Sequence, residues 1–257
     1  MWTHSFSRAG ASLLDLLYPP HCPGCGCPIA ARAALCPRCH RGLPWLQAPL
    51  CSICGIPLQG TVGTCPDCPG RDPAFRAGRS ALAYQGAVQR VVLDWKYRGI
   101  RLYAPLARGW LLAYIRGLPA ARYAALDALV PVPLHPQRLR WRGFNQATEL
   151  ATAISAFWEL PIWEGVLLRT RHTPPQQRQE SRTQRWHNLE GAFACIDPEL
   201  VQGKALCLVD DVATTGATLH ACALALRTAG ARSVTFLTLA RQLSRELRCR
   251  HPQPWPP

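Results

Sequence analysis

The chain has 257 residues, 48% hydrophobic and 17% charged, with a formal charge of +14. That composition supplies enough apolar material for a core and excludes a disordered chain. No apolar run reaches the ~18 residues of a membrane helix, and the first 21 residues lack a signal-peptide layout, so a cytoplasmic protein with no membrane insertion is expected.

The basic excess is concentrated mid-chain, where residues 90–187 carry fifteen basic and six acidic side chains. This suits a polyanionic partner, either nucleic acid or a phosphorylated small molecule. A genomic bias toward arginine accounts for it equally well, since Lys96 and Lys204 are the only lysines.

Nine of the thirteen cysteines lie between positions 22 and 68. They include four C-x-x-C pairs: Cys22/Cys25, Cys36/Cys39, Cys51/Cys54 and Cys65/Cys68. Ten residues separate the pairs in each half, an internal repeat in which each pair turns two thiolates to one side. Two structural zinc ions are expected, because a four-thiolate site leaves no open position for substrate. Pairing within each repeat and interleaved pairing are both possible, and Cys27 is a spare thiol. About 50 residues with few large apolar side chains need the metals to fold.

A Pro-, Gly- and charge-rich stretch after Cys68 marks a boundary. The expected organisation is a zinc-ribbon domain at 1–75, an α/β domain at 76–247 and a disordered Pro-rich tail at 248–257. A strand-like run begins at 81–84. Residues 86–97 place Val88, Val91, Val92 and Trp95 on one helical face, and 102–115 is also helix-like. Residues 128–132 read as a buried strand ending in a rigid, Pro-bounded loop. Residues 145–157 form an amphipathic helix, 206–209 a strand, 218–229 a helix closed by Gly230, and 233–239 a strand. This alternation predicts a mostly parallel sheet flanked by helices, with ligands beyond the carboxyl ends of the strands.

The stretch 205–219 reads A-L-C-L-V-D-D-V-A-T-T-G-A-T-L. A buried strand ends in Asp210 and Asp211, and a Thr/Gly turn leads into a helix. The turn offers N–H groups at a helix N-terminus together with the hydroxyls of Thr214, Thr215 and Thr218, an anion cradle. Gly216 allows close backbone approach. Two carboxylates beside a phosphate cradle suit a ligand that carries hydroxyls or a cation near its phosphate, as a ribose 5-phosphate does. Ordinary helix capping explains one Asp or one Thr, not the whole string.

V-D-D-V-A-T-T-G-A-T resembles the phosphoribosyl-pyrophosphate (PRPP) signature of type I phosphoribosyltransferases. Residues 130–146 (V-P-V-P-L-H-P-Q-R-L-R-W-R-G-F-N-Q) resemble the ComF family of competence-associated, phosphoribosyltransferase-like proteins. So do Trp95-Lys96-Tyr97-Arg98-Gly99 and the stretch 173–193 with Thr173, Pro174, Pro175, Gln176, Ser181, Arg182, Arg185, Asn188, Gly191, Ala192 and Phe193. The resemblance covers nearly the whole chain. It implies a type I phosphoribosyltransferase fold with an amino-terminal double zinc ribbon. It further implies that Asp210 and Asp211 meet the ribose hydroxyls, and that Val212, Ala213, Thr214, Thr215, Gly216, Ala217 and Thr218 complete a PRPP site. Mg²⁺ would bridge the ribose and pyrophosphate oxygens. Glu180, where an apolar residue is expected, and the glycine-free 176–179 depart from the family pattern where a closing loop would sit.

For the pyrophosphate side the candidates are Arg138, Arg142 and Gly143, in the loop after the strand at 128–132, then Lys96 and Arg98, then Arg182. Arg138, Arg140 and Arg142 alternate, so at least one is expected to be a solvated charge. Asn145 reads equally as a helix cap, and His135 and His172 as solvated loop residues. Trp141, Phe144 and Trp186 stand among arginines, where aromatics can stack single-stranded bases, although packed aromatics are commoner. Two functions follow. One is a PRPP-dependent pentosyltransferase with an unidentified acceptor. The other is a non-catalytic module of the same fold that binds single-stranded DNA or docks competence-machinery proteins, which the resemblance connects with DNA uptake.

Overall fold

A computed structural model describes residues 20–30, 33–60, 63–68, 72–100, 102–119, 123–171, 189, 191–244 and 247. Arg182, His172, Trp186, the 176–180 departures, most of the 173–193 stretch and the 248–257 tail lie outside the described residues.

The centre of the fold is a four-stranded, all-parallel sheet built from β1 (Ala77–Ala83), β2 (Ala128–Pro131), β5 (Ala205–Ala213) and β6 (Ser233–Arg241). Its order is β1-β6-β5-β2. A single parallel bridge from Leu129 to Ile162 continues it beyond β2. A separate antiparallel pair joins β3 (Leu167–Arg169) and β4 (Phe193–Cys195), and the short helix α6 (Pro198–Val201) follows β4. β5 is buried on both faces, and its alternate residues feed two cores. Leu206 and Leu208 meet α7 (Ala217–Thr228) and the second cysteine group. Cys207 and Val209 meet α2 (Gly86–Tyr97), α3 (Tyr103–Arg116) and α5 (Gln146–Trp158). Helices therefore cover both faces, as a parallel sheet requires. Among the described residues, no helix is long and apolar enough to cross a membrane.

The helical face read at Val88, Val91, Val92 and Trp95 is fully buried. α5 starts where Asn145 Oδ1 accepts the Ala147 N–H at 3.1 Å, and Asn145 Nδ2 also donates to the Val132 carbonyl at 3.0 Å. The cap thus ties the helix to the end of β2.

Three boundaries differ from the sequence reading. The first strand opens at Ala77, earlier than 81, because it runs beside a nine-residue β6. The expected loop carrying Arg138 and Arg142 is a helix, α4 (Pro136–Arg142). Pro136 follows His135, whose Nδ1 accepts the Gln137 N–H at 3.3 Å, and Gly143 at φ 78° ends the helix. The strand expected at 206–209 runs to Ala213, since Asp210 pairs with Thr238, Val212 with Ala240 and Ala213 with Arg241. The acidic pair therefore lies within the strand.

The amino-terminal region, with the short helix α1 (Pro37–Arg41), packs directly on this body. Cys22, Leu35, Cys36 and Leu43 join the α2/α3/α5 core, while Cys51, Cys54, Cys65 and Cys68 join the α7 core. Main-chain hydrogen bonds cross position 75 at Gly78 N to Ile53 O (2.6 Å), Leu46 N to Ala81 O (2.9 Å) and Ala83 N to Pro44 O (2.8 Å).

Candidate functional site

The eight paired cysteines form two tetrads, Cys22/Cys25/Cys36/Cys39 and Cys51/Cys54/Cys65/Cys68, each with its sulfurs within 4.8 Å of one another. Pairing is within each repeat. Zinc–sulfur bonds of ~2.3 Å place tetrahedral sulfurs about 3.8 Å apart. The sulfurs of Cys54 and Cys65 lie 3.7 Å apart, those of Cys51 and Cys68 3.9 Å, and those of Cys25 and Cys36 3.6 Å. Knuckle amides point at the sulfurs: Cys54 N–H at Cys51 Sγ (3.5 Å), Cys65 N–H at Cys51 Sγ (3.3 Å) and Cys36 N–H at Cys22 Sγ (3.4 Å). Ligand type and spacing fit two structural zinc ions. Cys27 Sγ stands 3.3 Å from Cys25 Sγ, outside the first tetrad.

The second constellation lies at the carboxyl end of β5. The strand pleat turns its two carboxylates to opposite layers. Asp211 faces the α2 layer, where Lys96 Nζ donates to its Oδ1 at 2.7 Å with both side chains mostly out of water. Tyr84 is also on that side, and burial together with the Asp211 charge pushes its phenol up to about 12. Asp210 faces the α7 layer and accepts the Asp211 N–H at 2.8 Å. Burial first, then the neighbouring Asp211 charge, push the Asp210 carboxyl up to about 7, against the pull of Lys96 and Arg169.

Beyond β5, Thr214 is exposed and Thr215 half-buried. Thr215 Oγ1 accepts the Ala217 N–H at 3.3 Å. Gly216, at φ 84°, is the residue from which the twelve-residue α7 departs. A Cβ there would meet nothing within 4 Å, so the positive φ, not crowding, demands glycine.

The basic candidates fall into distinct groups. Lys96 is engaged with Asp211. Arg142 is drawn toward both carboxylates, although burial holds its guanidinium below the ordinary arginine value. It donates to Gln146 Oε1 at 2.7 Å and lies over the Tyr97 ring at 5.5 Å. Arg138 sits close enough to repel Arg142 and Arg169. Arg98 is exposed and paired with Asp94 at 3.5 Å, on the same helix turn. Gly143 provides the αL end of α4.

Of the stacking candidates, Phe144 is turned inward against Trp95, centroids 6.2 Å apart. Trp141 is 65% exposed and faces the 59% exposed Tyr97 at 6.2 Å.

A double zinc ribbon domain matches residues 13–69, and a phosphoribosyl transferase domain matches residues 142–253. Competence protein F of Haemophilus influenzae is 34% identical over 116 residues, 45% of this chain and half of that protein's length. Competence protein ComFC of Bacillus subtilis is 29% identical over 168 residues, 65% of each chain. DNA utilization protein YhgH of Salmonella typhimurium is 31% identical over 224 residues, covering 86% of this chain and 90% of that one. The chain belongs to the ComF family.

In this ComF protein the sequence reading missed Arg169 and Gln146. Arg169, the last residue of β3, acts electrostatically on Asp210 and lies over Phe193 at 5.4 Å. Gln146 is almost fully buried, with its Nε2 lacking a partner. The three-residue strand gave Arg169 no periodic signal, and Gln146 stood directly after the cap residue that drew attention.

Proposed function

We propose that this ComF protein binds PRPP with Mg²⁺ at the carboxyl end of β5, transfers its phosphoribosyl group to an acceptor, and acts in DNA uptake. One observation carries the reading: Asp210 and Asp211 lie within the carboxyl-terminal half of a central parallel strand, and a Thr-Thr-Gly turn whose glycine is αL leads from the strand end into the N-terminus of α7. The first N–H groups of a helix and its dipole favour a phosphate there, and the carboxylates accept hydroxyls beside it.

Breaking the C1–pyrophosphate bond builds positive charge on the ribose and negative charge on the leaving group. Fixed carboxylates at one end and guanidinium or ammonium groups at the other oppose both charges without reorganising. Asp210 and Asp211 fill the first role and Arg142 and Arg138 the second, while Lys96 and Arg169 face the acidic pair itself. Magnesium, when bound, supplies Lewis-acid neutralisation of the pyrophosphate oxygens. The names of the competence and DNA utilization relatives support the uptake role.

The test is calorimetric titration of PRPP with Mg²⁺ into the zinc-replete wild type and the Asp210→Asn/Asp211→Asn double variant. Saturable binding lost in the variant is expected, and a folded wild type that binds no PRPP overturns the reading.

A second reading, a single-stranded-DNA-binding module, is favoured by the exposed Tyr97–Trp141 pair beside Arg142. Aromatic faces flanked by cations stack bases and track phosphates. It requires affinity for an oligo-dT strand that falls with salt and weakens in Trp141→Ala; binding indifferent to salt and to Trp141 excludes it.

A further inference from the structure

The second cysteine tetrad lies under the phosphate loop. A water-sized cavity of about 30 Å³ is bounded by Cys54, Cys68, Thr214, Thr215, Gly216 and Arg241. The knuckle that supplies Cys51 and Cys54 sits on β1 with no room to spare: Gly78 N–H donates to Ile53 O at 2.6 Å, and a Cβ on Gly55 would come within 2.5 Å of the Gly78 carbonyl oxygen.

Two buried arginines stand at this contact. Arg79, 7% exposed, directs Nη1 at the carbonyls of Gly78 (2.6 Å) and Cys51 (3.3 Å). Arg241, 5% exposed, donates from Nη1 to the carbonyl of Cys54 at 2.9 Å. Arg241 has no carboxylate partner among the described residues, and its buried Nε has no acceptor. A buried guanidinium without a counter-charge is costly. A divalent metal held by four thiolates carries a net charge of about −2, and both arginines grip the main chain of ligating cysteines.

We propose that Arg241 is a buried counter-charge of the second tetrathiolate zinc centre, and that it couples occupancy of that centre to the conformation of the Thr214–Ala217 loop. Arg241 is placed for this coupling because it ends β6 in register with Ala213, the last residue of β5 before the loop, and the next residue, Gln242, donates its N–H to the Ala213 carbonyl at 2.9 Å. Arg241 is a positioning residue: it touches the zinc knuckle on one side and the loop's anchor on the other. The proposal rests on reading the loop as an anion cradle only for its functional consequence; the linkage itself is independent of any ligand.

The experiment uses full-length, zinc-replete protein titrated with the chromogenic chelator 4-(2-pyridylazo)resorcinol, with hydrogen exchange of the 214–217 amides followed by mass spectrometry. In Arg241→Met, one of the two zinc ions should be surrendered at chelator concentrations about 10–100-fold lower than in the wild type, the range seen when groups supporting metal ligands are removed. The other should be unaffected. Arg241→Lys keeps the charge and should recover most of the resistance, which separates loss of charge from loss of packing and gives a folded comparison if the Met variant is unstable. Exchange at 214–217 should accelerate in the wild type as its second zinc is withdrawn.

Wild-type chelator resistance in Arg241→Met, or equal zinc loss in the Lys and Met variants, overturns the counter-charge role. Unchanged exchange at 214–217 after the zinc of the Cys51/Cys54/Cys65/Cys68 tetrad has left overturns the coupling. Failure of the zinc-replete wild type to bind PRPP would instead sink the proposed ligand, leaving these two readouts to decide the linkage.

Discussion

Lys96→Met removes the ammonium group 2.7 Å from Asp211 while keeping an apolar stem of similar length. At an effective dielectric of ~20, unit charges at that distance attract by about 6 kcal/mol. With side-chain exposures of 18% and 9%, much of that attraction is offset by the water both groups gave up. The variant therefore loses the pair and strands a carboxylate inside the site, a cost of about 2–4 kcal/mol. For a domain of this size each kcal/mol moves the midpoint by ~2–4 °C, so a fall of roughly 5–15 °C is expected. Differential scanning calorimetry of zinc-replete protein near neutral pH checks it. Adding Asp211→Asn should restore part of the loss, with a coupling of about 1–3 kcal/mol in the double-mutant cycle. A Lys96→Met midpoint within 1 °C of wild type, or additive single effects, would refute the idea that Asp211 depends on Lys96.

Asp210 supplies the pH dependence. Its folded value, about 7, lies above the ordinary 3.8, so the folded state holds a proton that the unfolded chain has released between those values. Stability from this group is fully present below pH ~4 and lost as pH rises through 7. Asp210→Asn should flatten the melting profile from pH 5 to 8 and raise the ligand-free midpoint at pH 8; an unchanged profile would contradict the assignment. Gly78→Ala would drive a Cβ to 2.0 Å from the Phe236 ring, which packs edge-on against Phe75. A loss of about 1–3 kcal/mol in urea unfolding is expected, and wild-type stability would show that β1 yields more easily than its packing implies. Metal analysis should find two zinc ions per chain, one in either Cys36→Ser or Cys65→Ser and none in the double variant, whereas a zinc shared by the Cys36/Cys39 and Cys65/Cys68 knuckles would leave the double variant with one.

What the sequence revealed was local in the chain. The C-x-x-C spacing placed the four knuckles because each is set by four consecutive residues, while which knuckles share a metal is settled only by the fold. The string from Asp210 to Thr218 placed a strand, a turn and a helix because burial, αL glycine and capping act over a few positions. What stayed hidden depends on residues far apart. Cys54 and Arg241 meet across 187 positions, and neither residue announces the other. The length of β5 was misread because two adjacent aspartates usually end a strand; here β6 is equally long, Lys96 meets one carboxylate, and the other accepts its neighbour's amide. The segment 136–142 reads as a loop because Pro131 and Pro133 close the strand before it, whereas Pro136 directly after a capping His135 starts a helix.

The extension of β5 through the acidic pair changes how the site works. Carboxylates in a loop could both swing toward one ligand; carboxylates in adjacent strand positions face opposite layers. Lys96 from α2 pairs with Asp211 and also draws on Asp210, to which the β3–β4 pair adds Arg169. A ribose served by both must therefore lie across the end of the sheet, not on one face of it, which is where the Thr214–Gly216 turn lies. Lys96 occupies Oδ1 of Asp211, and a carboxylate with two oxygens and about four acceptor positions still has Oδ2 for a hydroxyl. On the proposed reading, the pair persists while Asp211 accepts from the sugar, with its charge already partly neutralised. Asp210 has a weaker hold on its ionised form, and a ligand bringing its own cation would favour that form. If the proposed ligand binds, the two aspartates divide the task, one paired with a fixed lysine and the other set by what arrives.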